Sequence, residues 1–165
     1  MTVKITKDRV PDLLRAIRDL TSKEVLVGIP AENAGREDSP INNAEIGYLQ
    51  ETGSPSQNIP ARPFLVPGVE AARPKIEKAL RNGANGALRG VSGAADAALE
   101  AAGLIAVPSV RKVMNSNVGP PLSPKTIYNR RHRKNKQKNM RENTLVDTTD
   151  LINHVTHVVR KKSER

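Results

Sequence analysis

Apolar positions along this chain change their period several times, and each change marks a different element. Between Asp8 and Leu20 (DRVPDLLRAIRDL), Val10, Leu13, Leu14 and Ile17 recur at helical spacing, with Asp8 placed as the cap. The next run, 23–29 (KEVLVGI), is β-branched and stops at Pro30, which predicts a strand. A polar, turn-forming stretch over 31–40 (AENAGREDSP) reads as an exposed loop. Helical spacing returns over 42–52 (NNAEIGYLQET), capped by Asn42 or Asn43 and stopped by Gly53.

From Val69 to about Met114 the pattern predicts one long helix. Ala84, Leu88, Val91, Ala95, Ala98, Ala102 and Ile105 repeat every three or four residues. Pro74 is expected in its first turn, and Pro108 bends or ends it. A second stripe of Gly83, Gly86, Gly90 and Gly93 runs beside the first. Each glycine inside a helix costs about 1 kcal/mol relative to alanine. Two readings follow: the helix breaks near Asn82–Gly86, or the glycines form a smooth face where a neighbouring subunit's backbone comes close.

Further on, Ser123-Pro124 has the form of a helix start, serine as cap and proline at the first helical position, with Ile127 and Tyr128 as anchors. The segment 129–143 is polar and basic and is expected to be a flexible loop or arm within a single domain spanning residues 1–165. Residues 151–160 (LINHVTHVVR) read as a helical turn entering a final strand.

Composition sharpens this outline. Hydrophobic residues make up 37% of the 165 and aromatics 2%, so the core must be thin and built from Val, Ile, Leu and Ala. Chains of this kind often complete their burial against copies of themselves. There is no cysteine, which removes disulfides and thiolate chemistry. No apolar run is long enough to cross a bilayer, and the N-terminus lacks the apolar centre of a signal peptide, so a soluble protein made in the cytoplasm is expected. Of the net charge of +10, eight units come from Lys125, Arg130, Arg131, Arg133, Lys134, Lys136, Lys138 and Arg141, and removing them leaves a body at +2. Such a run contacts phosphates without reading sequence. An acidic protein surface is an equal alternative, and the run has few aromatics for stacking on single strands.

Catalytic chemistry is sparse. His154 and His157 are three apart, which suits a metal on a helix but places them on opposite faces of a strand. No carboxylate or cysteine cluster completes a ligand set, so neither metal nor cofactor is expected. The serines lack a nucleophile-elbow context and no phosphate-binding glycine motif occurs. Glu45 and Glu51 make a carboxylate pair only if folding brings them together. No enzymatic activity is expected.

The most unusual stretch is ETGSPSQNIPARPFLVPG, residues 51–68, with four of the 12 prolines and the only phenylalanine. Prolines 60, 63 and 67 favour an extended backbone over 59–67. Phe64 and Leu65 then point in opposite directions, one into the core and the other toward a neighbour, with Arg62 a candidate for a fixed salt bridge or a partner contact. An ordinary core role for Phe64 is the plainer reading.

Four stretches occur in an order that resembles the tail-completion, or head–tail joining, proteins of tailed bacteriophages. They are LVGIP (26–30), AEIGYLQETGSPSQNIPARPFLVPG (44–68), PPLSPKTIYNRR (120–131) and TLVDTTDLINHVTHVVR (144–160). The E-x-G-[TS] and [IM]-P-A-R-P-F portions are the specific ones. Two positions depart: Thr149 stands where a D-T-G-x-L entry has glycine, which puts that turn's geometry in doubt, and Thr52 stands where an aromatic is usual. The resemblance implies an α+β subunit, a small antiparallel β-sheet packed against one long α-helix, with shorter flanking helices and a basic loop or arm. It also implies a homo-oligomeric ring, six-fold, at the neck of a virion, contacting head connector or adaptor proteins and tail terminator or tail tube proteins. On that reading Arg62, Phe64, Leu65, Gly83, Gly86, Gly90 and Gly93 are candidates for subunit or partner contact. The eight cations of 125–141 are then candidates for contact with double-stranded DNA in the lumen. A small non-specific DNA-binding or packaging accessory protein is the alternative.

Overall fold

The computed structural model describes residues 10–30, 35, 41–134 and 138–162 of the chain. Helix α1 (Val10–Ser22) runs directly into strand β1 (Lys23–Gly28), and helix α2 (Asn43–Thr52) follows. Asn42 caps α2 with a full capping box: its side chain accepts from the Glu45 backbone N–H while the Glu45 carboxylate accepts from the Asn42 N–H. Helices α3 (Leu65–Leu88) and α4 (Ala94–Asn115) are the two longest elements. Then come α5 (Pro124–His132), the single turn α6 (Asp150–Asn153) and strand β2 (Thr156–Lys161). The expected caps hold at Asn42 and Ser123; the expected cap Asp8 and most of the 31–40 loop lie outside the described residues.

The fold is α+β as expected, but the single long helix is corrected to an antiparallel hairpin. The turn lies at 89–93, past the expected break, and Gly90 and Gly93 take positive φ there (+87° and +73°), which glycine adopts without strain. Gly83 and Gly86 stay inside α3 because the close backbone they admit belongs to α4. A Cβ on Gly83 would collide with Ala98, one on Gly86 would sit 3.1 Å from the Ala94 Cβ, and one on Gly68 would lie 2.5 Å from the Val110 Cα. Small residues thus bring two helix backbones together along their whole length. The periodic face on α4 is Ala95, Ala98, Ala102, Ala106, Val110 and Met114, all buried, whereas Leu88 and Val91 of the expected stripe are exposed at the turn. Pro74 lies in the third turn of α3 and Pro108 is followed by seven more helical residues. Both prolines are on exposed faces, so water serves the carbonyls they leave unbonded.

The sheet consists of β1 and β2, antiparallel, with Lys23 opposite Lys161 and Gly28 opposite Thr156. It lies on α4, where Lys23 pairs with Asp96 at 2.6 Å and His157 with Glu100 at 2.8 Å. One turn further along, Gly103 is buried against the His157 ring, which occupies the space a side chain there would need. Phe64, Val110, Met114, Leu145, Val146, Leu151, Ile152 and Val155 form the main core. Helix α1 contributes no buried residue to it, and Val10, Leu13, Leu14 and Ile17 remain exposed.

Thr149, at the entry to α6, adopts φ +66° and ψ −6°, the left-handed conformation that glycine serves best. A β-branched residue there carries strain of about 1–3 kcal/mol. Thr149→Gly is expected to raise the stability of the folded state by about 1 kcal/mol, once the greater freedom of glycine in the unfolded chain is counted against it. Urea unfolding followed by circular dichroism checks this, and a lower midpoint would show that the threonine is not strained.

Candidate interaction site

The ETG stretch folds into a closed loop because its small and turn-forming residues permit it. Gly53 ends α2 at φ +76°, and a Cβ there would lie 2.8 Å from the Ala61 backbone nitrogen. Ser54 and Ile59 then exchange two backbone hydrogen bonds, of 2.8 and 3.0 Å, around a short 3-10 turn, Pro55–Gln57, with Asn58 left-handed. The return strand closes on α2 when the Arg62 N–H donates to the Gln50 carbonyl at 2.6 Å. This geometry brings the Glu51 carboxylate onto the start of α3. It accepts from the backbone N–H groups of Phe64 (2.7 Å), Leu65 (2.8 Å) and Val66 (3.1 Å). Three donors that a helix start leaves unbonded are satisfied by one anion, placed where the helix dipole is positive.

That capping changes the expected path of the chain. The backbone is extended only as far as Phe64; from Leu65 it is helical, and Pro67 lies in the first turn. Phe64 is buried in the core, and Leu65 packs against the same core rather than pointing away from it. The outward apolar residue is Val66, 62% exposed. Among the described residues Arg62 forms no salt bridge. Its guanidinium is buried and donates to the carbonyls of Pro120 (2.8 Å) and Pro121 (3.3 Å), which ties the loop to the segment before α5.

The basic segment divides into two classes. Arg130 and Arg133 converge on Asp147, at 3.7 and 2.9 Å, and Arg131 pairs with Glu142 at 2.8 Å. Arg130 also donates to the Asn143 carbonyl, and Asn139 holds Asp147 through its side-chain amide. These arginines therefore fasten 139–147 back onto α5, so part of the expected arm is structured. Lys125, Lys134, Lys138 and Arg141 are exposed, and Lys136 lies outside the described residues. Tyr128 is not an anchor: it is 62% exposed and stacks on His132, ring centroids 4.1 Å apart.

Burial raises the Asp147 carboxyl, but hydrogen bonds from Arg133 and Asn139 and the charges of Arg130 and Arg133 outweigh it and hold the group below its ordinary range. Burial lowers Arg62 and Arg130, and for Arg130 the neighbouring charges of Arg133 and Arg62 add to that lowering while Asp147 opposes it. No group of three or more potential metal ligands occurs among the described residues. His154 Nδ1 instead lies 2.7 Å from the Asp150 carbonyl, to which it donates when protonated, and 3.2 Å from the buried Asn43 amide nitrogen, from which it accepts in the other tautomer. Glu45 and Glu51 cap different helices. No helix among the described residues is long and apolar enough to cross a membrane. Comparison of the chain with protein-family models, with curated proteins and with solved structures found no match in any of the three.

Sequence reasoning missed Glu51 as a cap and Asp147 as the centre of the arginine cluster. The first partnership spans thirteen residues and the second joins both ends of a loop, so neither leaves a periodic signal.

Removal of the Glu51 cap by Glu51→Ala is expected to cost about 2–3 kcal/mol, and Glu51→Gln about 1 kcal/mol, since the amide oxygen still accepts but without charge. Urea midpoints of the two variants check the order. The depressed Asp147 group contributes stability that is present above its unfolded value of about 3.9 and is lost as pH falls through the lower folded value. Asp147→Asn should lower stability at pH 7 by about 1 kcal/mol, a figure already reduced for solvent screening because the carboxylate is 36% exposed. The variant should also flatten the stability profile below about pH 4. Parallel profiles for the two proteins would remove Asp147 from this role.

Proposed function

We propose that this chain is a structural protein of a tailed-phage virion, a tail-completion or head–tail connector component that assembles as a ring, six-fold, around the DNA path. One observation carries the reading. The stretch on which the resemblance rests is built as a single interlocked unit, in which Gly53 makes the turn, Glu51 caps α3, Arg62 latches the loop and Phe64 enters the core. Its distinctive residues are used to hold a shape, as a subunit of an assembly requires, and this accounts for their occurrence together. The apolar positions left exposed on α1 and at the hairpin turn support the same reading, since self-association would cover them.

The alternative, a non-specific DNA-binding accessory protein, draws on the exposed cations of 125–141. With Arg130, Arg131 and Arg133 engaged in ion pairs, five of the eight cations remain, four of them among the described residues. Light scattering with negative-stain microscopy is expected to show closed rings of the isolated chain, or its binding to tail ends or connectors without DNA. A monomer or dimer that associates only on DNA would overturn the ring reading in favour of the alternative. In either case the slope of log affinity for duplex DNA against log salt should be no steeper than about −4.5, from about 0.9 per neutralised phosphate.

A further inference from the structure

Between the Ser54–Arg62 loop and the Pro120–Ser123 segment lies an open groove of about 840 Å³, lined by Gln50, Arg62, Ser123, Thr126, Arg130 and Thr144 among others. Its charges do not balance. Arg62 and Arg130 line it, and Asp147, behind Arg130, is the carboxylate that answers the second of them. Among the described residues Arg62 has only carbonyl oxygens for partners, which take its Nε–H and one Nη2–H, leave its other N–H groups for a ligand and bring no net negative charge. Glu51, nearby in the chain, is already held by three backbone N–H groups. A largely desolvated cation without a counter-charge is costly, and an incoming anion recovers that cost.

We infer that this groove is a docking site for an extended peptide segment of a partner protein, one of whose acidic side chains pairs with Arg62. Two features favour a carboxylate on a peptide over the phosphates of a duplex. Arg62 is 7% exposed and the Arg130 side chain 12%, so both are set below the surface, out of reach of a convex double helix. Gln50, on the groove wall, has a buried amide oxygen with no hydrogen-bond partner among the described residues, an acceptor that would meet a peptide N–H if the side chain rotated toward the groove. A phosphodiester carries no donor to meet it. The planar guanidinium suits two-point recognition of a carboxylate, and its fixed position reduces the entropy lost on binding. The inference stands on the groove alone and holds whether or not the chain forms a ring.

Binding to the full-length chain is measured by anisotropy of two fluorescein-labelled peptides, one with four consecutive glutamates and one with four glutamines. The glutamate peptide is expected to bind at least tenfold more tightly. Thr126→Glu places a carboxylate in the groove wall and, with Ser123 as cap, completes a capping box that preserves α5. It should remove most of that preference without lowering the urea midpoint, whereas Lys78→Gln, the same charge change on the exposed face of α3, should leave the preference intact. Equal binding of the two peptides overturns the proposal. So does an equal effect of the two variants, which would mean general attraction to a basic protein. Displacement of the glutamate peptide by a duplex of twenty base pairs, weakened alike by Thr126→Glu, would make the groove a phosphate site and also overturn it.

Discussion

The start of α3 presents unbonded backbone donors at the point where the chain must turn from an extended segment into its largest helix. Phe64, the residue at the capping position, has no side-chain acceptor to offer. Glu51 supplies it from the end of α2, and much of the molecule follows from that substitution of a distant anion for a local cap. For the carboxylate to arrive, the chain between must reverse within a dozen residues, which demands the left-handed Gly53 and Asn58 and the Ser54–Ile59 pairing. Once it has arrived, Phe64 is directed into the core beside Val110 and Met114 of α4. Arg62 is turned toward Pro120 and Pro121. One charge thus links α2, α3 and the segment before α5.

The hairpin shows how a chain poor in large apolar residues still builds a stable centre. Area burial by a leucine or phenylalanine is the usual source of stability, but here much of the α3–α4 contact is made from glycine and alanine, with Val110 and Met114 at one end. Close approach replaces side-chain volume: the gain comes from many dispersion contacts between backbones, and little side-chain entropy is lost. The helix cost of Gly83 and Gly86 is accepted because any larger residue would push α4 away. Such a contact is stiff and tolerates little change, while α1, which presents leucine and isoleucine, buries none of them and is free of that constraint.

Local features were legible in the sequence wherever a single element contained both cause and effect. The Asn42 capping box, the Ser123-Pro124 helix start, the β-branched strands and the α6-to-β2 passage all have their determinants within four or five residues. The long stripe over 84–105 was read as helical, either continuous or broken near 82–86; the break lies later, at 89–93, because Leu88 and Val91 keep the spacing although they are exposed at the turn. Of the four glycines, Gly83 and Gly86 do mark a close approach, one of the two readings offered, whereas Gly90 and Gly93 face open space and serve the turn. The partner of the first two was legible only in three dimensions, since nothing in the spacing distinguishes α4 of the same chain from a neighbour. Leu65 was misplaced for a related reason: three prolines argue for extension, but Pro67 is equally at home in the first turn of a helix, and the Glu51 cap selects that state.

The basic segment argues most clearly against reading function from charge alone. Eight cations in seventeen residues suggest one electrostatic surface, yet the fold sorts them. Arginine, with a planar head and several fixed donors, is used inward at positions 130, 131 and 133, where it meets carboxylates and carbonyls. Lysine, more strongly hydrated, is left outward at 125, 134 and 138. Positive charge is therefore divided between recessed arginines, of which Arg62 has no carboxylate beside it among the described residues, and exposed lysines. Long-range attraction and specific recognition follow different distance laws. The exposed lysines act over about 8–10 Å of screened solution and discriminate little, whereas a recessed guanidinium acts only on a group that fits the groove and has shed its water. Recessing Arg62, Arg130 and Arg133 serves the fold first, since each of them ties separate segments of the chain together.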